Sequence, residues 1–186
     1  MKLTIMIKPE AFLKLRTLID EENAEVAWHM ITRRIQYEDN TTVIIKDVIL
    51  FPQYTTATHV YTDQAEYEDW LEGLPDDIFR NLRGHGHSHV NMPPIASATD
   101  KKHQQSIAEM IKGNDYYLWM IWNKRHAATA YYVGIETDYQ VQVFDNFEVF
   151  IAVGDTNEIK RELKMDENIR HITESEVEEY GLTKEL

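Results

Sequence analysis

The sequence predicts a single α+β domain, in which helices flank a mixed and mostly antiparallel β-sheet. Predicted helices interrupt the predicted strands without strict alternation, which favours such a sheet over a doubly wound parallel one. The 186 residues are enough for one domain with a substantial core, and 43% of them are hydrophobic, as in ordinary globular proteins. The absence of cysteine excludes disulfides, thiol nucleophiles and thiolate metal sites.

The amino-terminal elements follow from apolar periodicity. Residues 2–7 alternate in part and predict a short strand. A helix is expected over Pro9–Ile19, because proline suits a first helical turn and apolar side chains then recur at helical spacing. The stretches Glu25–Ile35 and Thr42–Phe51 are rich in strand formers and flank a turn-like cluster at 37–40, so they predict an antiparallel hairpin.

The middle of the chain carries clearer start and stop signals. Residues 52–62 show no regular pattern and are expected to be irregular. Asp63 caps a predicted helix that ends at Glu72, before a glycine and a proline. The later predicted elements are a helical turn after Asp76, a helix over Asp100–Lys112, strands over Tyr116–Asn123 and Thr129–Ile135, and an extended stretch over Tyr139–Val153.

The charge balance limits the partners. Nineteen basic against 32 acidic residues give a net charge of -13, which disfavours nucleic acid and anionic membranes, because both attract clustered lysine and arginine. No apolar run is long enough for a signal peptide or a membrane span, so a soluble, cytoplasmic protein is expected. Residues 155–186 are charged and weakly helical, and they are expected to form a peripheral helix or tail beyond a domain at 1–154.

One segment carries a candidate metal site. His87 and His89 lie two apart on a predicted strand and therefore point to the same face, where they can bind one metal ion. After a loop braced by two prolines, Asp100 opens the next helix, whose dipole favours an ionised carboxylate. Two imidazoles and one carboxylate leave a position for water, which is the catalytic rather than the structural zinc pattern. The chain lacks HExxH, so the base must come from elsewhere, and Glu25 is one candidate.

These residues resemble the signature of a known family. His87-Ser88-His89, then seven residues, Ser97, two residues and Asp100 fit the pattern H-S/T-H-x7-S-x2-D of the JAMM (JAB/MPN-domain) metalloproteases. The order of a helix, a glutamate that opens a strand, a hairpin and the histidine strand is also similar. The compact size and the HSHxNM run most resemble the stand-alone prokaryotic and phage-type members.

The resemblance implies a JAB/MPN-like, cytidine-deaminase-like architecture and a hydrolase active site. His87, His89 and Asp100 would bind one Zn²⁺, with water as the fourth ligand. Glu25 would be the general base that also passes a proton to the leaving amine, and Ser97 would help to stabilise the oxyanion. The expected substrate is a protein or peptide, and the C-terminal tail of a ubiquitin-like protein is one candidate, cleaved by a protease or isopeptidase.

The chain departs from the family pattern at several positions. Val90 stands where proline commonly follows the second histidine, and Ala27-Trp28 replaces the small residues usual after the base. The turn at Lys124–Ala127 is short, so ubiquitin-chain specificity is not carried over from members with insertions. The alternative function, from a different class, is a non-catalytic binding or assembly module that retains zinc as structure. The sequence does not set the oligomeric state.

Overall fold

The computed structural model describes residues 2–111, 115–138, 140–144 and 156–184. These residues form a mixed α+β fold with a mostly antiparallel, curled sheet flanked by helices, which confirms the predicted fold class. The α-helices are α1 (Pro9–Glu21), α2 (Gln64–Glu72), α3 (Asp76–Phe79), α4 (Ala98–Met110), α5 (Thr156–Leu163), α6 (Met165–Asn168) and α7 (Glu174–Tyr180). The strands are β1 (Lys2–Ile7), β2 (Ala27–Tyr37), β3 (Asn40–Ile49), β4 (Gln53–Thr55), β5 (Val60–Thr62), β6 (Leu82–Ser88), β7 (Tyr116–Trp122), β8 (Ala128–Gly134), β9 (Gln142–Phe144), β10 (Ile169–His171) and β11 (Thr183–Lys184).

The larger sheet has seven strands in the order β1-β3-β2-β6-β7-β8-β9. Strand β1 runs parallel to β3, and β6 runs parallel to β7, whereas the other neighbours are antiparallel. The predicted hairpin is confirmed as β2 and β3, which a tight turn joins at Glu38 with a φ of 50°. The histidine strand β6 lies in the middle of this sheet, between β2 and β7.

Helix α1 covers one face of the sheet and forms the main core. Its buried side chains include Phe12, Leu15 and Leu18, which share one side of the helix and pack in a cluster with residues of β2, β3, β7 and β8. Phe12 also contacts the ring of Trp122, with 6.1 Å between the ring centroids. Burial of each such side chain stabilises the folded state by roughly 1.5–3 kcal/mol relative to leaving it exposed.

Helix α4 belongs to a second core cluster. Successive residues of β7 point to opposite faces of the sheet, so Leu118 and Met120 belong to the main core, while Trp119 and Ile121 pack with Ala108 of α4. This packing holds α4 against the strand next to β6. The amino-terminal turn of α4 therefore lies close to the end of the histidine strand β6.

A smaller sheet has the order β10-β4-β5-β11. Residues 52–62, expected to be irregular, instead contribute its two central strands, β4 and β5. Each is only three residues long, which is too short for a period-2 pattern to stand out in the sequence.

The described part of the chain contains no helix with the length and apolar character needed to span a membrane.

The carboxy-terminal segment differs from the expected peripheral helix or tail. Its strand β10 runs parallel to β4, and β11 runs antiparallel to β5. Ile159 and Leu163, four residues apart on α5, are buried in the main core together with Met165 and Ile169. A few well-spaced apolar residues among many charges are thus enough to anchor the segment. Of the predicted extended stretch over 139–153, the structure describes only 140–144, which contains β9; residues 139 and 145–153 lie outside the described residues.

Candidate metal centre

The fold brings His87, His89 and Asp100 together as a buried group that could hold a metal ion. His87 lies near the end of β6, His89 follows that strand directly, and Asp100 is the third residue of α4. One candidate ligand atom from each residue lies within 4.8 Å of the other two, and His87 Nε2 is 3.8 Å from Asp100 Oδ1. Tetrahedral zinc with bonds of about 2.0–2.1 Å separates its ligand atoms by about 3.3 Å. The three atoms are therefore close to the spacing that one ion requires.

Hydrogen bonds orient two of these side chains for ligation. The Nδ1–H of His89 donates to the carbonyl oxygen of Pro93 at 2.7 Å, which leaves the Nε2 lone pair free. Asp100 Oδ2 accepts from the backbone N–H of Ser97 at 2.5 Å, so that Oδ1 faces His87. Burial lowers the pKa of His87 to about 4, against a smaller opposing effect of the Asp100 carboxylate. The imidazole is therefore neutral at pH 7, which is the form that binds metal.

The turn after His89 explains how the loop reaches back to the site. Val90 has a φ of 43°, a left-handed conformation that is rare for a β-branched residue. Proline, with its φ fixed near -65°, cannot adopt this conformation, so this turn requires a residue other than proline at position 90. Backbone hydrogen bonds stabilise that turn, from Met92 N–H to His89 O and from Lys124 N–H to Val90 O.

Ser97 lies at the N-terminus of α4 and lines the same cleft. Its hydroxyl oxygen accepts from the backbone N–H of Asp100 at 3.1 Å, and the two residues form a capping box. The preceding residue, Ala96, donates its backbone N–H to the hydroxyl of Tyr131. Ser97 therefore also fixes the carboxylate of Asp100, in addition to the oxyanion role that the resemblance implies.

Glu25 faces the candidate ligands across a cleft of about 460 Å³, which it lines together with His87, His89 and Asp100. It precedes β2 instead of opening that strand, and its backbone N–H donates to Thr56 O. The residue is only 7% exposed, and burial raises the pKa of its carboxyl to about 8, with a further increase from the Asp100 carboxylate. A buried acid whose pKa lies near neutrality can accept and return a proton, which is the property of an acid–base catalyst.

The large side chain of Trp28 is accommodated by a glycine on the neighbouring strand. Trp28 pairs with Gly86 across β2 and β6, and a Cβ on Gly86 would lie 2.5 Å from the indole ring. Only glycine leaves room there for the indole. Ala27 in turn pairs with His87. Ser88, between the two histidines of the motif, does not line the cleft, and its hydroxyl accepts from the N–H of Val26.

Several cleft residues carry no local signal in the sequence. Thr58 and His59 come from the turn between β4 and β5, and Lys184 comes from β11. They lie in segments that the sequence predicts as irregular or peripheral. Because these segments are remote from the motif, only the pairing of the smaller sheet brings them to the cleft.

Two further buried histidines lie outside the residues that line the cleft. His29 stacks on Trp70, and its Nε2 is 2.7 Å from the hydroxyl of Tyr67. Its ring also contacts His85, with 5.2 Å between the centroids. Burial lowers the pKa of His29 to about 4, so the ring stays neutral inside an aromatic environment. Their packing indicates a structural role.

No protein-family model matches the chain, and no curated protein matches its sequence at a significant level.

Proposed function

We propose that the protein is a zinc-dependent metalloprotease of the JAMM type, which hydrolyses a peptide or isopeptide bond. The observation that carries this proposal is the buried Glu25 in the same cleft as His87, His89 and Asp100. A structural zinc site is closed by four protein ligands, whereas catalytic sites have three and leave one position open. In the described part of the chain, the candidate metal-binding group has three members, with an acid of raised pKa beside it.

The donor set suits zinc. His87 and His89 would bind through Nε2 and Asp100 through Oδ1, and a borderline-soft ion such as Zn²⁺ accepts this mixture of nitrogen and oxygen. When bound, the zinc ion would polarise the scissile carbonyl and lower the pKa of a water molecule. The hydrogen bonds from His89 to Pro93 and from Ser97 to Asp100 would hold the ligands in place.

Glu25 would move the proton during hydrolysis. Its carboxylate takes a proton from the attacking water as the new C–O bond forms at the scissile carbonyl. It then delivers that proton to the leaving nitrogen as the C–N bond breaks, which yields a free carboxylic acid and an amine. The Ser97 hydroxyl accepts from Asp100 N–H through its oxygen, so its O–H can still donate to the oxyanion. One such donor contributes about 3 kcal/mol to the transition state.

The test is cleavage by the zinc-loaded protein of a diverse peptide mixture and of fusions to ubiquitin-like C-terminal tails. New termini are identified by mass spectrometry. Glu25→Gln should abolish cleavage while zinc stays bound, because only the proton carrier is lost. Glu72→Gln, an exposed glutamate at the end of α2, is the matched control and should cleave normally.

The ligand assignment has its own measurement. His89→Ala should lose zinc by metal analysis, since it removes one of three ligands, and full metal retention would contradict the assignment. Zinc retention by the wild type without cleavage of any substrate, and with no effect of Glu25→Gln, would instead favour the non-catalytic binding or assembly module.

A further inference from the structure

The candidate cleft contains one cationic side chain that the proposed mechanism does not use. Lys184 of β11 lines the cleft, and no other lysine or arginine does so among the described residues. Its strand pairs with β5, where Lys184 is opposite Tyr61. Within the described part of the chain, Lys184 forms no ion pair within 4.0 Å, and its charge acts on Glu25 only at longer range, where it lowers the pKa of that carboxyl against the effect of burial. The charge is thus exposed to the cleft without an ion-pair partner there.

The same cleft offers apolar surface. Met92, Pro93 and Ile95 line it from the loop between β6 and α4, and Met92 and Ile95 are 43% and 65% exposed. Exposed side chains of this size in a cleft are suited to hold an apolar group of a ligand. The lining therefore combines an apolar surface with a single positive charge.

The charge of Lys184 is unusual for its surroundings. The chain has a net charge of -13, and the acids that line the cleft are Glu25 and Asp100, both buried. A divalent cation at the proposed centre would compensate these two carboxylates. Lys184 would then leave the cleft with an excess of positive charge, which attracts an anion on the substrate.

We propose that Lys184 binds a carboxylate of the substrate, so that the enzyme prefers peptides with a carboxylate beside an apolar residue near the scissile bond. This inference rests on the proposed function, because it names the substrate class of the same site. An acidic side chain and a free C-terminus supply the same chemistry, and the experiment distinguishes these two sources.

The test uses zinc-loaded protein and pairs of fluorescent peptides with a central leucine. Within a pair, glutamate replaces glutamine at one position, and each peptide is made with a free and with an amidated C-terminus. Cleavage is measured as kcat/KM with the wild type. Binding is measured by fluorescence anisotropy with the Glu25→Gln variant, which separates recognition from turnover.

The carboxylate-bearing peptide should bind about fivefold more tightly, as for a solvent-accessible ion pair, and the preference should weaken at high salt. The preference for a carboxylate should disappear in Lys184→Gln and persist in Lys184→Arg. In Lys184→Glu it should be replaced by a preference for peptides that contain lysine. The matched control is Lys46→Gln, an exposed residue of β3 outside the cleft that changes the net charge equally. This control should keep the preference.

The outcomes are separable. Loss of the preference on amidation identifies the free C-terminus as the bound group, and loss on exchange of glutamate for glutamine identifies a side chain. Equal affinities within the pairs, a preference that survives Lys184→Gln, or no binding of any peptide would overturn the inference. Selective binding without any cleavage would contradict the proposed protease and leave the carboxylate site supported.

Discussion

Glu25→Gln should stabilise the metal-free protein at alkaline pH, although it removes the proposed general base. The carboxyl group has a pKa of about 8 in the folded chain, against an ordinary value of 4.5, mainly because it is buried. The folded state therefore keeps a proton that the unfolded state has already lost. Stability falls as the pH rises from 4.5 to about 8, because the unfolded state alone gains from ionisation. Glutamine has nearly the same shape and does not ionise.

The magnitude follows from the two pKa values. Each pH unit between 4.5 and about 8 costs the wild type roughly 1.4 kcal/mol, so the variant gains up to about 5 kcal/mol at pH 8 and above. Near pH 4.5 the two proteins should be almost equally stable. A bound divalent cation favours the ionised carboxylate, so zinc should reduce the difference.

Urea unfolding in the presence of a chelator, at pH 5, 6.5 and 8, measures this effect. The difference between wild type and Glu25→Gln cancels the titration of groups that both proteins share. The exposed control Glu72→Gln should show little change across the same range. A difference between wild type and Glu25→Gln that stays constant from pH 5 to 8 would refute the argument that burial raises this pKa.

Three other predictions concern the fold. Gly86→Ala should destabilise the protein by roughly 1–3 kcal/mol in urea unfolding, because its Cβ would lie 2.5 Å from the Trp28 ring, and an unchanged midpoint would contradict that contact. Buried His29 has a pKa of about 4, against 6.5 when exposed, so the folded state loses about 3 kcal/mol of stability as the pH falls from 6.5 to about 4. His29→Gln should therefore show a weaker dependence of stability on acid pH. A pH profile identical to that of the wild type would contradict the lowered pKa. Leu163→Ala should cost about 2–5 kcal/mol, since the side chain is 3% exposed in the main core, whereas a peripheral tail would show almost no effect on thermal unfolding.

The elements that the sequence predicts well are those with a local physical cause. The helix that begins at Pro9 and the hairpin around Glu38 depend on periodicity, proline and turn residues within a few positions of each other. Strands β4 and β5 were not predicted, because they are short and depend on pairing with each other and with the carboxy-terminal segment. The pairing with the carboxy-terminal segment joins residues more than 100 positions apart, and no local sequence pattern indicates such a contact.

The candidate metal-binding residues show the same division between local and long-range causes. Alternation of side chains along a strand is local, so the sequence predicts that His87 and His89 face one site, to which the loop braced by two prolines returns Asp100. Glu25 was selected only by resemblance, and its burial beside that group follows from the packing of β2 against β6. Lys184 carries no signal in the sequence at all. It reaches the cleft because β11 pairs with β5, and such a long-range contact depends on the packing of the whole chain.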